Sequence, residues 1–285
     1  MGRMFRANSR SIIAACLGLI AGPAGTRVVG FQGPAPVQQT RHWNGQGVAP
    51  VYEGFDINPD GTFNMWFGYM NRNFEEQLDI PVGADNRFEP GAPDRGQPTH
   101  FDPRRRKDIF RVVVPKDFGA AAKLVWSITV HGKTESVAGV LNRVWQIDRR
   151  RTTRGGNSES VDSNTPPVVD FQPATQAVVM KAPATLQISA TDDGLPTRRG
   201  RNGGAPAPIG MTVEFEKYRG PGTVTFSAAK PRLIDGKTTA TATFSEPGEY
   251  MILSVVDDGS GESAGNFGYH CCWTDNLITV VVRPQ

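Results

Sequence analysis

The chain is poor in residues that usually carry catalysis or covalent cross-links, with three cysteines and four histidines among 285 residues. Zinc sites are built from ligands at short spacings such as Cys-x-x-Cys or His-x-x-x-His. Neither spacing occurs, and the histidines are scattered: His42, His100, His131 and His270. The sequence therefore predicts no zinc site and, apart from a calcium ion, no cofactor.

Helical periodicity and long apolar runs are also missing. The apolar run Ile12–Ala21 is far shorter than the roughly 20 residues of a membrane span. It follows a basic region and precedes small residues, which is the order of a secretory signal. These flanking residues are Arg3, Arg6 and Arg10 on one side and Gly22–Gly25 on the other. We predict a general secretory signal over residues 1–25, cleaved near Ala24.

A lipoprotein signal is the alternative, because Ile13–Cys16 loosely resembles a lipoprotein box. Only a short apolar stretch precedes Cys16, however, and the apolar run continues past it, so cleavage near Ala24 is preferred. The mature chain is then expected in the periplasm, outside the cell or at its surface, without a transmembrane anchor.

Neither sign of charge is in excess once the signal is removed. Of the 31 basic residues, three lie in residues 1–25, where there are no acids, so the remaining chain carries 28 residues of each sign. A net charge of zero gives no long-range attraction to nucleic acid or to anionic membranes. The basic runs Arg104–Lys107 and Arg149–Arg151 are interpreted as solvated loops.

Strand signals begin at Val48, after a leader rich in Gly, Gln and Pro at residues 26–47. We predict a β-sandwich domain over residues 48–148, a polar linker over 149–165 and a second domain over 166–285. The strand candidates of the first domain are Val51–Phe55, Thr62–Met70, Ile109–Pro115, Leu124–Val130, Thr134–Val140 and Arg143–Ile147. The turn residues Asn58–Gly61 predict a hairpin between the first two.

A long segment without apolar rhythm, Pro81–Lys107, separates this hairpin from the later strands. Its five prolines favour a fixed shape, so the segment is predicted to be a loop ordered against the first sandwich. Asp94, His100 and Asp102 lie in it as potential ligands, but turn and surface roles are the preferred interpretation.

Seven short β-branched runs follow residue 166, separated by Gly, Pro and Asp, as in an immunoglobulin-like sandwich. The segments Ala190–Pro196, Gly220–Ser227 and Thr241–Gly259 resemble, in sequence and order, the PKD-type Ig-like repeat of bacterial secreted and surface proteins. The resemblance implies a seven-stranded sandwich used for spacing, adhesion or display. Two connections are longer than in that family: B–C through Thr197–Pro208 and F–G through Ser260–Asn276. In the first half, the segments Gly96–Phe101 and Val114–Gly119 resemble an uncharacterised module of bacterial exported proteins.

The B–C and F–G loops leave an Ig-like sandwich at the same end, which we call the pole. We predict that the pole is a binding site, because loops on a rigid scaffold concentrate binding groups. Its candidate residues are Asp192, Asp193, Arg198, Arg199, Arg201, Asp257, Asp258, His270 and Trp273. The four aspartates could also hold calcium, although Asp-Asp-Gly is good turn chemistry without a metal.

Cys271 and Cys272 are the only cysteines left after signal removal. Adjacent Cα atoms are ~3.8 Å apart, below the ~4.4–6.8 Å usual for a disulfide. A vicinal bond would be strained and would brace the hairpin that presents Trp273. Two reduced buried thiols and pairing with another chain are the alternatives.

Aromatic residues crowd the first hairpin: Tyr52, Phe55, Phe63, Trp66, Phe67 and Tyr69. Neighbours on a strand point to opposite faces, so either Trp66 or Phe67 must lie off the core. Packing between the domains is the preferred role of that residue, and contact with a partner or with a sugar ring is the alternative. Gly261–Gly265 (GESAG) matches the nucleophile elbow of hydrolases, but no helix follows it, so Ser263 is interpreted as a residue of a flexible loop.

These patterns predict an all-β, exported protein that binds or organises a partner without catalysis. A scaffold or subunit of a surface complex, with another envelope or surface protein as partner, is the main hypothesis. A polysaccharide-binding protein is the runner-up, and a hydrolase acting through Ser263 is the remote alternative.

Overall fold

A computed structural model describes residues 41–147, 164–195, 197–198, 207–208, 210–259 and 272–285. The described chain is all-β, as predicted, with one short 3-10 turn. The strands of the first half are β1 (Val48–Ile57), β2 (Phe63–Asn71), β3 (Leu78–Asp79), β4 (Asn86–Glu89), β5 (His100–Phe101), β6 (Arg104–Val114), β7 (Leu124–Val130) and β8 (Lys133–Gly139). They form the antiparallel sheets β1-β2-β6 and β4-β7-β8 and the ribbon β3-β5.

Alternating side chains of the two sheets form the core of this first sandwich. Trp126 of β7, Phe88 of β4 and Phe67 of β2 are fully buried. Phe88 stacks on Trp126 with ring centroids 5.7 Å apart, and Phe67 meets both rings edge-on. The predicted first hairpin is confirmed: the Gly61 amide donates to the Asn58 carbonyl at 2.9 Å and closes the turn between β1 and β2.

The prediction of a loop over Pro81–Lys107 was wrong in kind, although the segment is ordered against the first sandwich as predicted. It contains β4, β5 and the start of β6. The basic run Arg104–Lys107 therefore lies in β6, where Arg104–Arg106 pair with Tyr69–Asn71 of β2, and it is not a solvated loop. Phe88 and Phe101 are buried in the first core, and such short strands carry too little alternation to be recognised.

The last strand predicted for the first half was also wrong. Residues Arg143–Trp145 form a 3-10 turn, which the Asn142 side chain caps by accepting from the Val144 amide at 3.0 Å. The chain after this turn then makes a single parallel bridge from Gln146 to Phe55, on the edge of β1.

The strands of the second half are β9 (Val168–Gln172), β10 (Thr175–Val179), β11 (Ala184–Thr191), β12 (Thr197–Arg198), β13 (Ala207–Pro208), β14 (Thr212–Arg219), β15 (Val224–Phe226), β16 (Lys237–Phe244), β17 (Gly248–Asp257) and β18 (Trp273–Arg283). They form two four-stranded sheets, β15-β16-β11-β9 and β10-β18-β17-β14, and the ribbon β12-β13.

The two four-stranded sheets enclose a second core and form an immunoglobulin-like sandwich. The Tyr250 hydroxyl, near the start of β17, donates to the Glu246 carbonyl at 2.8 Å, which resembles the tyrosine corner of Ig folds. The seven predicted runs all fall on sandwich strands. The described part adds β10, an eighth strand that pairs parallel to β18.

The outer face of β14 and β17 packs against the first sandwich. Tyr218 and Leu253 come from these strands but are buried in the first core, and Met251 and Val255 pack beside them. Residues 41–285 form one compact unit. Within the described ranges, no helix has the length and apolar character needed to cross a membrane.

Candidate functional site

The predicted pole begins where β11 and β17 end. Asp193 accepts from the Leu195 amide at 2.9 Å and from the backbone and hydroxyl of Thr165 at 2.9 and 2.8 Å. Asp257 accepts from the Gly259 amide at 2.6 Å. The Leu195 and Gly259 contacts are the turn chemistry expected of aspartate beside glycine, whereas Thr165 is a distant partner that ties Asp193 to the start of the second half.

Asp192 and Asp258 show that the two loop ends approach each other. Burial, followed by the charges of Asp193 and Asp258, raises the pKa of Asp192. Asp258 itself is buried, and its amide donates to the Cys272 carbonyl at 3.3 Å. Among the described residues, no group of three or more His, Cys, Asp or Glu could hold a metal ion, and calcium binding stays a prediction.

Trp273 is the first residue of β18 and packs on the first sandwich. Its ring is edge-on to Trp66 of β2, with centroids 5.8 Å apart. Trp66 is almost fully buried and lies under the Arg111 guanidinium at 5.3 Å. The prediction that Trp66 or Phe67 leaves the core for the domain boundary is therefore confirmed for Trp66.

Cys272 is fully buried and its sulfur is in a disulfide. The partner sulfur lies outside the described residues, so the pairing with Cys271 stays a prediction. Cys272 Sγ lies 3.7 Å from the Asn164 carbonyl, which is a packing contact because a disulfide sulfur has no hydrogen to donate. Arg198 lies on β12, and its side chain is not described. The remaining predicted residues lie outside the described ranges: Arg199, Arg201, Ser263, His270 and Cys271.

A shallow groove of about 570 Å³ lies on the outer face of the first sheet, beside Trp66. Its amides are engaged with one another: Asn58 and Asn64 exchange hydrogen bonds of 3.0 and 2.8 Å, and Asn64 also donates to Asp56 at 2.7 Å. The Trp66 indole donates to the second oxygen of Asp56 at 2.5 Å. These side-chain hydrogen bonds stabilise the hairpin, and they leave few polar groups of the groove for a ligand.

Two chains of charges cross the boundary between the sandwiches, and the first centres on Asp79 of β3. Its Oδ1 accepts from Lys217 Nζ of β14 at 2.8 Å and from His100 Nδ1 at 2.8 Å. The other ring nitrogen of His100 lies 3.6 Å from Asp102. Burial opposes the charged form of His100, but the two carboxylates outweigh it and raise the pKa of the imidazole. His100 is thus a buried residue that links two carboxylates, which corrects the surface role predicted for it.

The second chain centres on Arg106 of β6. Its Nη1 lies 2.8 Å from Glu216 and 3.5 Å from Glu214, both on β14, and its Nη2 lies 3.7 Å from Asp102. Lys230 lies 2.9 Å from the other oxygen of Glu214. Burial, outweighing the attraction of Arg106, raises the pKa of Glu216 to about 8, and the Glu214 carboxylate adds to the shift. We call Asp102, Arg106, Glu214 and Glu216 the boundary carboxylate cluster.

The end of β14 completes the boundary. Arg219 makes a bidentate pair with Asp94 at 2.8 and 3.0 Å, and its Nε donates to the Gln97 carbonyl at 2.8 Å. The Tyr218 hydroxyl donates to the Gly96 carbonyl, and the Thr99 amide donates to the Tyr218 carbonyl at 3.0 Å. Asp94 is thus held in an ion pair between the sandwiches.

An exposed aromatic group, not identified in the sequence, lies where the described chain begins. Trp43 is 53% exposed and contacts Phe74 edge-on at 5.9 Å. The guanidinium groups of Arg41 and Arg104 lie 5.5 and 4.0 Å from the Phe74 ring centre. We call these four residues the Trp43 patch. Only the adjacent Arg41-His42-Trp43 was visible in the sequence as a signal, since Phe74 and Arg104 come from other strand ends.

No protein-family model and no curated protein matches the chain. Its fold is similar to "WR4, a C.elegans MSP family member", at 11% identity and a TM-score of 0.27, over 40% of this chain and 96% of that one. It is also similar to a conjugative transposon lipoprotein from Bacteroides eggerthii (13% identity, TM-score 0.26, 40% and 96% of the two chains). A third similar structure is the D00-D0 domain of intimin (10% identity, TM-score 0.25, 82% and 100%). Likenesses this weak carry no argument about function.

Proposed function

We propose that this protein is an exported, non-catalytic component of a bacterial cell envelope, which binds another envelope protein through the pole. The observation that supports a scaffold is the way the sandwiches are joined. Lys217, Arg219 and Glu216 of β14 each have a charged partner on the first sandwich, and the Trp66–Trp273 contact lies on the same boundary. A support fixed in this way lowers the entropic cost of presenting a binding loop.

The binding role is tested by photo-cross-linking in intact cells. A photoreactive amino acid is placed at Asp193, which is exposed at the pole, and in a control at Lys181, which is exposed in the turn between β10 and β11. We expect a discrete protein adduct from position 193 and not from position 181. Equal adducts at both positions, or none at 193, would reject the pole as the binding site.

Export is tested separately by sequencing the amino terminus of the mature protein. A start near residue 25 in the periplasmic, secreted or surface fraction supports the proposal. A start at a lipidated Cys16 would replace the soluble protein with a lipoprotein, and an uncleaved cytoplasmic chain would reject export.

The Trp43 patch supports polysaccharide binding as a second candidate function. The sequence-based support for this function, an aromatic residue of the first hairpin that lies off the core, is weakened because Trp66 is nearly buried and contacts Trp273 at the boundary. Trp43, in contrast, is exposed and could stack on the apolar face of a sugar ring. Arg41 and Arg104 would favour sugars that carry carboxylates.

Retention on acidic alginate beads and on neutral cellulose tests this candidate. Trp145 provides a matched control, since it is 46% exposed and also contacts one aromatic ring, Tyr52. We expect Trp43→Ala to lose retention on alginate and Trp145→Ala to keep it. No retention of the unchanged protein, or equal losses in both variants, would exclude the Trp43 patch as a sugar site.

A further inference from the structure

The boundary carboxylate cluster has more acid than base. Three carboxylates, Asp102, Glu214 and Glu216, lie within 3.7 Å of one guanidinium, that of Arg106. Lys230 partly balances Glu214 from the solvent side, and His100 partly balances Asp102. Glu216 is left with Arg106 as its basic contact among the described residues, and it shares Arg106 with the other two carboxylates.

Glu216 is also the most enclosed of the three. Its side chain is 13% exposed, against 29% for Glu214 and 16% for Asp102. The buried hydroxyl of Tyr69 from β2 lies close enough for the charges of Asp102 and Glu216 to raise its pKa, after burial itself. Carboxylates that share a site in this way repel one another when ionised, so ionising all three takes more free energy than ionising three separate carboxylates in water.

We propose that the contact between the sandwiches is linked to a proton: Glu216 takes up a proton as β14 docks on β6, so that docking is tightest under mildly acidic conditions. The proton is held between Glu216 and Glu214, and Arg106 remains paired with the negative charge that they share. This role is independent of the binding partner and of the two functions proposed above.

The direction of the pH effect follows from the docked and undocked states. If undocking returns Glu216 to water, its pKa falls from about 8 to the ordinary value of 4.5. A carboxyl group whose pKa is raised by docking favours docking fully below pH 4.5, and this contribution is lost as the pH rises to about 8. Within that window the docking equilibrium falls by up to about tenfold for each unit of pH.

The other titratable groups at the boundary limit this window. The raised pKa of His100 acts in the same direction. Its contribution to docking is fully present below pH 6.5, the ordinary pKa of the imidazole, and is lost as the pH rises above the raised pKa of the docked state. Asp79, Asp94 and Asp102 act in the opposite direction, since their lowered pKa values weaken the boundary as the pH falls below 3.8.

The experiment measures hydrogen exchange at the Thr99 amide, which donates across the boundary to Tyr218. Protection factors correct for the intrinsic pH dependence of exchange, so about pH 5 and about pH 8 can be compared. Glu216→Gln keeps the size and hydrogen bonding of a protonated carboxyl group. Glu249→Gln, at an exposed position of β17, is the matched control.

We expect the protection factor of the unchanged protein and of Glu249→Gln to fall by at least tenfold between the two pH values. For Glu216→Gln we expect a much smaller fall, with protection at the higher pH above that of the unchanged protein. A pH-independent protection factor in the unchanged protein, or an equal fall in Glu216→Gln, would overturn the proposal. Matching near-ultraviolet circular dichroism at the lower pH establishes that each variant is folded.

Discussion

Single buried polar residues hold together segments of the first sandwich whose positions the hydrophobic pattern of the sequence does not determine. The fully buried Asn86 side chain donates to the carbonyls of Ile80 and Pro98, at 2.9 Å each, and accepts from the Trp126 indole at 2.9 Å. These bonds tie three segments around the central tryptophan. Nothing in the sequence distinguishes Asn86 from the asparagines of turns, because its partners are defined only by the fold.

We therefore expect Asn86→Ala to lower the free energy of unfolding by about 2–4 kcal/mol, since it leaves buried carbonyls and an indole N–H without partners. Chemical denaturation monitored by tryptophan fluorescence measures the change. Gln187→Ala, which removes an exposed amide from β11, is the control and should change stability by less than about 0.5 kcal/mol. A loss as small as that of the control would contradict the role of Asn86.

The Lys217–Asp79 pair predicts unequal effects for its two partners. The Lys217 side chain is 4% exposed, whereas that of Asp79 is 51% exposed. Asp79→Ala leaves a buried ammonium and His100 without their shared carboxylate, and should cost about 2–3 kcal/mol. Lys217→Met leaves an aspartate that keeps His100 and can be hydrated, so it should cost about 1 kcal/mol or less. Chemical denaturation of both variants measures the two losses of stability. A larger loss for Lys217→Met than for Asp79→Ala would contradict the prediction.

At the scale of strands, local alternation made most elements predictable. The pattern in β7 and the hairpin of β1 and β2 were recognised because alternation and turn residues are local signals. β4 and β5 were missed since they are short and lie among prolines, and β10 was not recognised either. The charged clusters could not be predicted, because Arg106 and Glu216 lie on distant strands and meet only after the sandwiches pack.

Gly68 shows how one residue sets the geometry between strands. It lies at the irregularity where β2 pairs with β6, and a Cβ placed there would overlap the Arg106 carbonyl. The Glu53–Arg105 salt bridge also crosses directly above it. Backbone cannot move aside as a flexible side chain can, so a methyl group must separate the strands.

Gly68→Ala is accordingly expected to destabilise the protein by about 2 kcal/mol or more. Gly119→Ala is the control, because no atom lies within 4 Å of the position of its Cβ. The melting temperatures of the two variants provide the measurement. Similar melting temperatures would show that the β2–β6 contact can relax around a methyl group.

At the scale of the whole molecule, the two cores meet through β14 and β17. Leu253 of β17 is buried in the first core, whereas Leu277, its register partner on β18, is 37% exposed. Since each sandwich buries apolar surface of the other, we expect the protein to unfold in one cooperative transition. Leu253→Asp should place a charge in this contact and separate the unfolding of the two sandwiches.

Differential scanning calorimetry tests this coupling. The unchanged protein and Leu277→Asp should give one transition, and Leu253→Asp should give two or a single broadened one. Two well-separated transitions in the unchanged protein would show that the sandwiches are stabilised independently.

The charges at the boundary give the whole molecule a pH of maximum stability. The raised pKa values of Glu216 and His100 provide stability that is lost as the pH rises, for Glu216 between 4.5 and about 8 and for His100 above 6.5. The lowered pKa values of Asp79 and Asp94 provide stability that is lost as the pH falls below 3.8. Melting temperatures between about pH 3 and about pH 9 should therefore peak between about 3.8 and about 4.5, because the aspartate contributions are lost below this range and the Glu216 contribution is lost above it. The alkaline decline should be smaller in Glu216→Gln, and a maximum above pH 8 would contradict the assignment of these buried groups.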